Sequence, residues 1–205
     1  MKILTKLLIG IGTIGAIVLI IFLNLSNKTL KERDREINFL QQKIYTDSLM
    51  TFSDLSNEFL TNGLQLPNNL EVECQNGSNT QIESLISGGK NIFLYLEQTY
   101  CSSCWGAILD KLNKEYPDIT QNNLIVFCSF QNFREIVIYF KEMKINSTLV
   151  NLKSGNFVLP VCDANSPFLA IVDDQGRIEN SCIIRSGKLN KVDVFINSFI
   201  KRSAI

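Results

Sequence analysis

Cys101 and Cys104 stand three residues apart in the stretch Thr99-Tyr100-Cys101-Ser102-Ser103-Cys104-Trp105, where an apolar run over residues 91–98 gives way to a helical pattern. Side chains at that spacing share one face of a helical turn, so the two sulfurs can close a small ring and open it again. At a helix N-terminus the unpaired backbone N–H groups and the positive end of the macrodipole favour a thiolate. Cys101, the earlier and more exposed of the two, is therefore the expected attacking sulfur. The same spacing occurs by chance and in zinc sites. A zinc site needs about four converging ligands, and only this one pair has ligand spacing.

The remaining composition narrows the chemistry. The 205 residues contain no histidine, which removes the usual general base, the Cys–His nucleophile pair and most metal-ligand sets. Lys+Arg and Asp+Glu both number 20, and without a long basic run nucleic acid is not an expected partner. No cofactor and no metal are expected. The other four cysteines, Cys74, Cys128, Cys162 and Cys182, lie singly in apolar strand-like runs and read as small buried hydrophobes. Cys162 and Cys182 are the pair to watch for a disulfide, because both fall on expected strands in one half of the sheet.

Three segments must position the motif. Residues 1–25 open with Lys2 and Lys6 and continue as an apolar run over residues 7–23, near the length needed to cross a bilayer, with no small-residue cleavage site behind it. The reading is an uncleaved signal anchor, a transmembrane helix in contact with lipid through residues 4–25. No cysteine follows the run, which argues against a lipid-modified anchor. Lys28, Lys31, Arg33 and Arg35 follow the span, so a plain count of basic residues favours the opposite orientation to the extracytoplasmic one expected below. Over residues 26–62, Leu30, Ile37, Leu40, Ile44, Leu49, Phe52, Leu55 and Phe59 recur mostly at helical intervals and predict an amphipathic helical stalk. The stripe also fits a parallel coiled coil and hence a dimer through the stalk, but the step from Ile44 to Leu49 breaks the heptad. A stalk whose second half packs on its own domain is the preferred expectation.

Residues 63–205 read as α/β. After a short strand at 70–74, a polar turn and a helical turn, residues 92–96 are apolar on both faces, as in a central parallel strand covered by helices. Trp105, Ile108, Leu109 and Leu112 mark the buried face of the helix behind the cysteines, and residues 124–128 form the next strand. Asn132 with Glu135 has capping-box spacing for a further helix. Short β-like runs follow at 148–152 and 157–162. A hairpin then turns at Asp173-Asp174-Gln175-Gly176, and a last helical stripe runs through Val192, Phe195, Ile196 and Phe199. Asn76-Gly77-Ser78 and Asn146-Ser147-Thr148 fit the short glycosylation pattern, which matters only in a eukaryotic secretory host.

The strand, the Cys-x-x-Cys and the helix together resemble the active site of the thioredoxin superfamily, specifically its membrane-anchored extracytoplasmic thiol–disulfide oxidoreductases, over roughly residues 63–205. The resemblance implies a thioredoxin-like fold, a central mixed sheet flanked by helices. It implies Cys101 as nucleophile, Cys104 as resolving cysteine, and Ser166-Pro167 as a cis-proline segment facing them at the start of a strand. Ser166, Pro167, Tyr100 and Trp105 are then the expected contacts for substrate. It also implies cysteine-containing protein substrates, a redox partner, and a domain on the periplasmic or cell-surface side. The chain departs from the family pattern at several points. Ser102-Ser103 stands where the best-known members have Gly-Pro, and Tyr95 stands where they have a buried carboxylate six residues before the first cysteine. The proline that kinks the helix is missing. Glu97 is the nearest carboxylate that could relay the Cys104 proton. Two other readings are weighed. A peroxiredoxin-like peroxidase wants proline and threonine where Leu94 and Gln98 stand. A non-catalytic thioredoxin-like binding module would keep the Cys-x-x-Cys as a structural disulfide.

Overall fold

In the computed structural model the backbone is described for residues 2–67, 70–86, 89–152 and 159–203, with side chains from residue 22 to residue 201 of that set. The chain divides into two compact units, Met1–Thr51 and Phe52–Ile205. Helix α1 is Lys2–Thr61, and its residues from Phe52 onward belong to the second unit. Most side chains of the expected membrane anchor, those up to residue 21, lie outside the described residues. Among the described residues no helix is long and apolar enough to cross a membrane.

The second unit is built on a seven-stranded sheet in the order β2-β1-β5-β4-β3-β6-β7. In chain order its elements are β1 (Glu71–Cys74), β2 (Asn79–Gln81), α2 (Glu83–Ile86), β3 (Asn91–Glu97), α3 (Ser102–Glu115), α4 (Pro117–Asn122), β4 (Leu124–Ser129), α5 (Phe133–Glu142), β5 (Thr148–Leu152), a 3-10 helix (Pro160–Ala164), β6 (Phe168–Val172), β7 (Ile178–Ile183) and α6 (Asn190–Ser203). β3, β4 and β5 are parallel, joined by helical crossovers, while β6 and β7 form the expected antiparallel hairpin before the final helix. Mixed α/β with a central sheet and flanking helices fits a thioredoxin-like fold.

β3 holds the centre. It pairs with β4 on one side and β6 on the other, and Ile92, Leu94 and Leu96 have no exposed surface. Strand alternation sends Phe93 and Tyr95 to one face with Phe127, Phe168 and Ala170, where Leu66 and Leu159 close over them. The helices gather among themselves. Tyr116 Oη at the end of α3 donates to Asp193 of α6 at 2.9 Å, and Trp105 of α3 packs edge-on against Tyr139 of α5 with ring centroids 4.9 Å apart.

Four expectations change. The polar turn after β1 contains a second strand, because Gly77 at φ +80 and the Asn76 side chain, which accepts the Ser78 N–H, return the chain tightly enough for β2 to pair with β1. The run read as a strand over 157–162 falls outside the described residues up to 158. Beyond them it is a 3-10 helix, because Pro160 has no N–H to give a ladder and its fixed φ suits a first helical turn. Cys162 therefore sits on that helix rather than on a strand. No disulfide joins it to Cys182, and all six cysteines are free thiols. The capping box at Asn132 is not made. Its side-chain amide donates to the Glu135 carboxylate at 2.8 Å instead of the Asn132 oxygen accepting a backbone N–H.

The end of α1 joins the second unit through its polar residues, the reverse of what its apolar stripe suggests. Asp54 and Thr61 are buried, whereas Phe52 and Phe59 are 74% and 78% exposed. Glu58 accepts the Ile183 N–H at the free edge of β7 at 2.7 Å, and its carbonyl accepts the Ser181 hydroxyl at 3.1 Å. Thr61 Oγ1 accepts the Val161 N–H at 3.1 Å and so starts the 3-10 helix. Thr61→Val keeps the shape but leaves that N–H buried without a partner, and is expected to cost roughly 1–3 kcal/mol in urea unfolding.

Candidate active site

Cys101 is the N-cap residue of α3, directly after the turn that leaves β3. Its own side chain makes no capping bond. Its carbonyl opens the helix by accepting the Cys104 N–H at 3.0 Å, and the sulfur stays exposed. Cys104, one turn further, is half-buried.

The two thiols differ in acidity for reasons visible in their surroundings. Cys101 is lowered to about 7, first by a hydrogen bond from Cys104, then by the Ser103 hydroxyl, 3.0 Å from its sulfur, and by the backbone N–H groups of Cys104 and Ser103. Cys104 is raised, because it serves as donor to Cys101, is partly desolvated and feels the Cys101 charge. Ser186 and Ser103 oppose that shift through hydrogen bonds. A thiolate at position 101 beside a protonated thiol at 104 is the resting state that dithiol exchange requires. Ser103 stands between the two cysteines and was marked by the motif, whereas Ser186 had none: it belongs to the segment after β7, and only folding brings it to α3. A cavity of about 70 Å³ lies there beside Cys104, between Ala107 and Ile108 of α3 and Ile184, Ser186 and Gly187.

The remaining expected site residues fall into two groups. Ser166 and Pro167 stand at the head of β6, and because Tyr95 of β3 pairs with Phe168, they lie at the same end of the sheet as Cys101. The Ser166–Pro167 peptide is trans, since the described residues contain no cis bond. The chain turns instead through Asn165, left-handed at φ 48, a conformation asparagine tolerates. Ser166 is buried and accepts a hydrogen bond from Arg185 at 3.2 Å. Trp105 and Tyr100, in contrast, turn inward. Trp105 is 8% exposed, held between Phe130 and Tyr139, and Tyr100 is 6% exposed against Tyr95.

Glu97 ends β3 opposite Ser129 and is half-buried. The groups that feel its charge include Tyr95, Tyr100 and Cys162, all raised chiefly by burial. Cys128, fully enclosed, is pushed well up by desolvation, and Cys182 is pushed up to about 11 by the same cause. Cys101 is thus the one thiol set apart by exposure and a lowered pKa together. Among the described residues no three His, Cys, Asp or Glu side chains gather as a metal site.

No protein-family model and no curated protein matches this chain. Several solved structures do. The exposed lipoprotein thioredoxin of Streptococcus pneumoniae is 18% identical, over 64% of this chain and 97% of that one, with a TM-score of 0.44. The thio-disulfide isomerase of Thermus thermophilus is 18% identical over 66% and 94% with a TM-score of 0.41, and a peroxidoxin of Mycobacterium tuberculosis is 11% identical over 61% and 86% with a TM-score of 0.46. With identities and TM-scores this low, the likenesses add nothing to what the sheet order and the cysteine geometry themselves support.

The thiolate fraction sets the alkylation rate. Modification of Cys101 by iodoacetamide should be half-maximal near pH 7 and fall about tenfold per unit below it, with Cys104 reacting later. Ser103→Ala removes one donor to the thiolate and should move that midpoint upward, read by mass spectrometry of the alkylated peptides.

Proposed function

We propose that this protein is a membrane-anchored thiol–disulfide oxidoreductase that exchanges electrons with protein disulfides and dithiols through Cys101 and Cys104. The observation that carries the reading is the contrast within one helical turn: an exposed Cys101 lowered to about 7 and a half-buried Cys104 raised beside it. The electron pairs balance in two exchanges. Cys101 thiolate attacks one sulfur of a substrate disulfide, the S–S bond breaks, one substrate thiolate leaves, and a mixed disulfide forms. Cys104 then gives up its proton and attacks Cys101 Sγ. The mixed disulfide breaks, the second substrate thiolate leaves, and the Cys101–Cys104 disulfide carries the two electrons' worth of oxidation. The reverse sequence oxidises a substrate dithiol. A separate redox partner resets the pair.

Two parts of the reading rest on the sequence and its resemblance alone. One is the lipid anchor through residues 4–25, supported by the apolar run over residues 7–23. The other is the extracytoplasmic placing of the domain, which follows the anchored oxidoreductases that it resembles. A dimer through the stalk over residues 26–62 remains part of the proposal, supported by the exposed apolar residues Leu30, Ile37, Leu40 and Ile44. Those charge and membrane features are tested by fractionation and by protease accessibility in intact cells.

Cys101→Ser should abolish disulfide exchange, and Cys104→Ser should accumulate the mixed disulfide with substrate, seen as a reducible adduct on non-reducing gels. The reduction potential of the couple decides direction: at or below about −250 mV the protein is a reductant, and near −120 to −180 mV an oxidant or isomerase. If Cys101 and Cys104 stay locked at every poise, the protein is instead a binding module with a structural disulfide.

A further inference from the structure

The segment that leads into β6 is held by a chain of contacts that begins on α1. Asp54 is buried and receives two hydrogen bonds from one guanidinium, from Arg185 Nη2 at 2.6 Å and from Arg185 Nε at 3.1 Å. The third corner of the same guanidinium, Nη1, donates to Ser166 Oγ at 3.2 Å. One planar, rigid fork thus joins residues 54, 166 and 185, and its geometry is set by the carboxylate it grips. Backbone pairing runs in the same place. The Ile184 N–H, one residue before Arg185, donates to the Pro167 carbonyl at 2.8 Å, so Arg185 and the Ser166-Pro167 segment are tied at two adjacent points.

This placement matters because of what shares that end of the sheet. Ser166 and Pro167 stand beside the end of β3 that delivers Cys101, and the residue after Arg185 is Ser186, which lines the cavity beside Cys104. We infer that Arg185, oriented by Asp54, is a positioning residue that fixes the Ser166-Pro167 segment for an extended polypeptide bound across the cysteines. The inference rests on the proposed exchange reaction and extends it to protein substrates. A small disulfide needs only the Cys101 thiolate, whereas a polypeptide needs the backbone beside it held in one place.

Arg185→Lys in the full chain separates this role from a merely structural one. Lysine keeps the positive charge beside Asp54 but cannot reach Asp54 and Ser166 in one rigid fork. Two readouts are taken on protein that matches the wild type in circular dichroism. The first, independent of activity, is amide hydrogen exchange. Exchange should speed up at Ile184 while the amides of α3 stay as they were, and unchanged protection at Ile184 overturns the inference. The second compares substrates: KM for a protein disulfide should rise about tenfold with kcat little changed, while the rate with dithionitrobenzoate and the Cys101 alkylation profile stay as in the wild type. Asp54→Asn should shift the same parameters in the same direction, and the double variant should be no worse than the worse single one. A parallel fall with both substrates, or an unchanged KM, overturns it. Should the wild type itself fail to exchange thiols with any disulfide, the proposed function falls, and the hydrogen-exchange result still decides whether Arg185 holds the segment.

Discussion

The geometry of this domain depends on the burial of β3. A strand paired on both edges and covered on both faces has no freedom to slide, since a one-residue slip would exchange Phe93 and Tyr95 for Leu94 and Leu96 between faces of different shape. Whatever follows its C-terminal end is therefore delivered to one point. Here that is Cys101, at the start of a helix whose backbone N–H groups and Ser103 hydroxyl face the sulfur. The acidity of Cys101 is a consequence of where a buried strand stops.

Around that point the fold sets unlike environments within a few residues. Cys101 is solvated and surrounded by donors, which favours the thiolate. Cys104 is partly withdrawn and is itself one of those donors. Trp105 and Tyr100 flank the pair in sequence yet anchor it from below, packing the start of α3 against Phe130 and Tyr139 and the preceding turn against Tyr95. Flanking aromatics thus act here through packing, which keeps the helix start from shifting, rather than as a surface.

The closing part of α1 solves a different problem. β7 is an edge strand, and an open edge invites pairing with other chains. Its N-terminal part is occupied by the backbone after α1, where the Gly63 N–H donates to the Ile178 carbonyl and Leu64 accepts the Ile178 N–H, and its far end by the Glu58 carboxylate at Ile183. Three different donors draw the polar face of the helix inward: the edge N–H of Ile183 takes Glu58, the Val161 N–H of the 3-10 helix takes Thr61, and the Arg185 guanidinium takes Asp54, which leaves Phe52 and Phe59 in the open.

Local sequence was enough for the Cys-x-x-Cys at a helix start, the doubly buried strand before it, the helices at 102–115, 133–142 and 190–203, and the final hairpin. Each is written in contiguous residues as a period, a run or a turn. Three features were not legible that way. The Asn132 amide donates to the Glu135 carboxylate while its oxygen takes no backbone N–H, Pro160 together with the Thr61 hydroxyl makes a 3-10 helix of an apolar run, and the end of α1 inverts its amphipathic face. The first depends on which of its polar atoms a short side chain satisfies, and the last two on partners distant in sequence. The same holds for Ser186 beside Cys104 and for Arg185 between Asp54 and Ser166. The chemistry of the two sulfurs was therefore set by the residues between and beside them, while the placing of the more distant groups that frame them was decided by the tertiary structure, because contacts between residues far apart in the chain leave no periodicity to read.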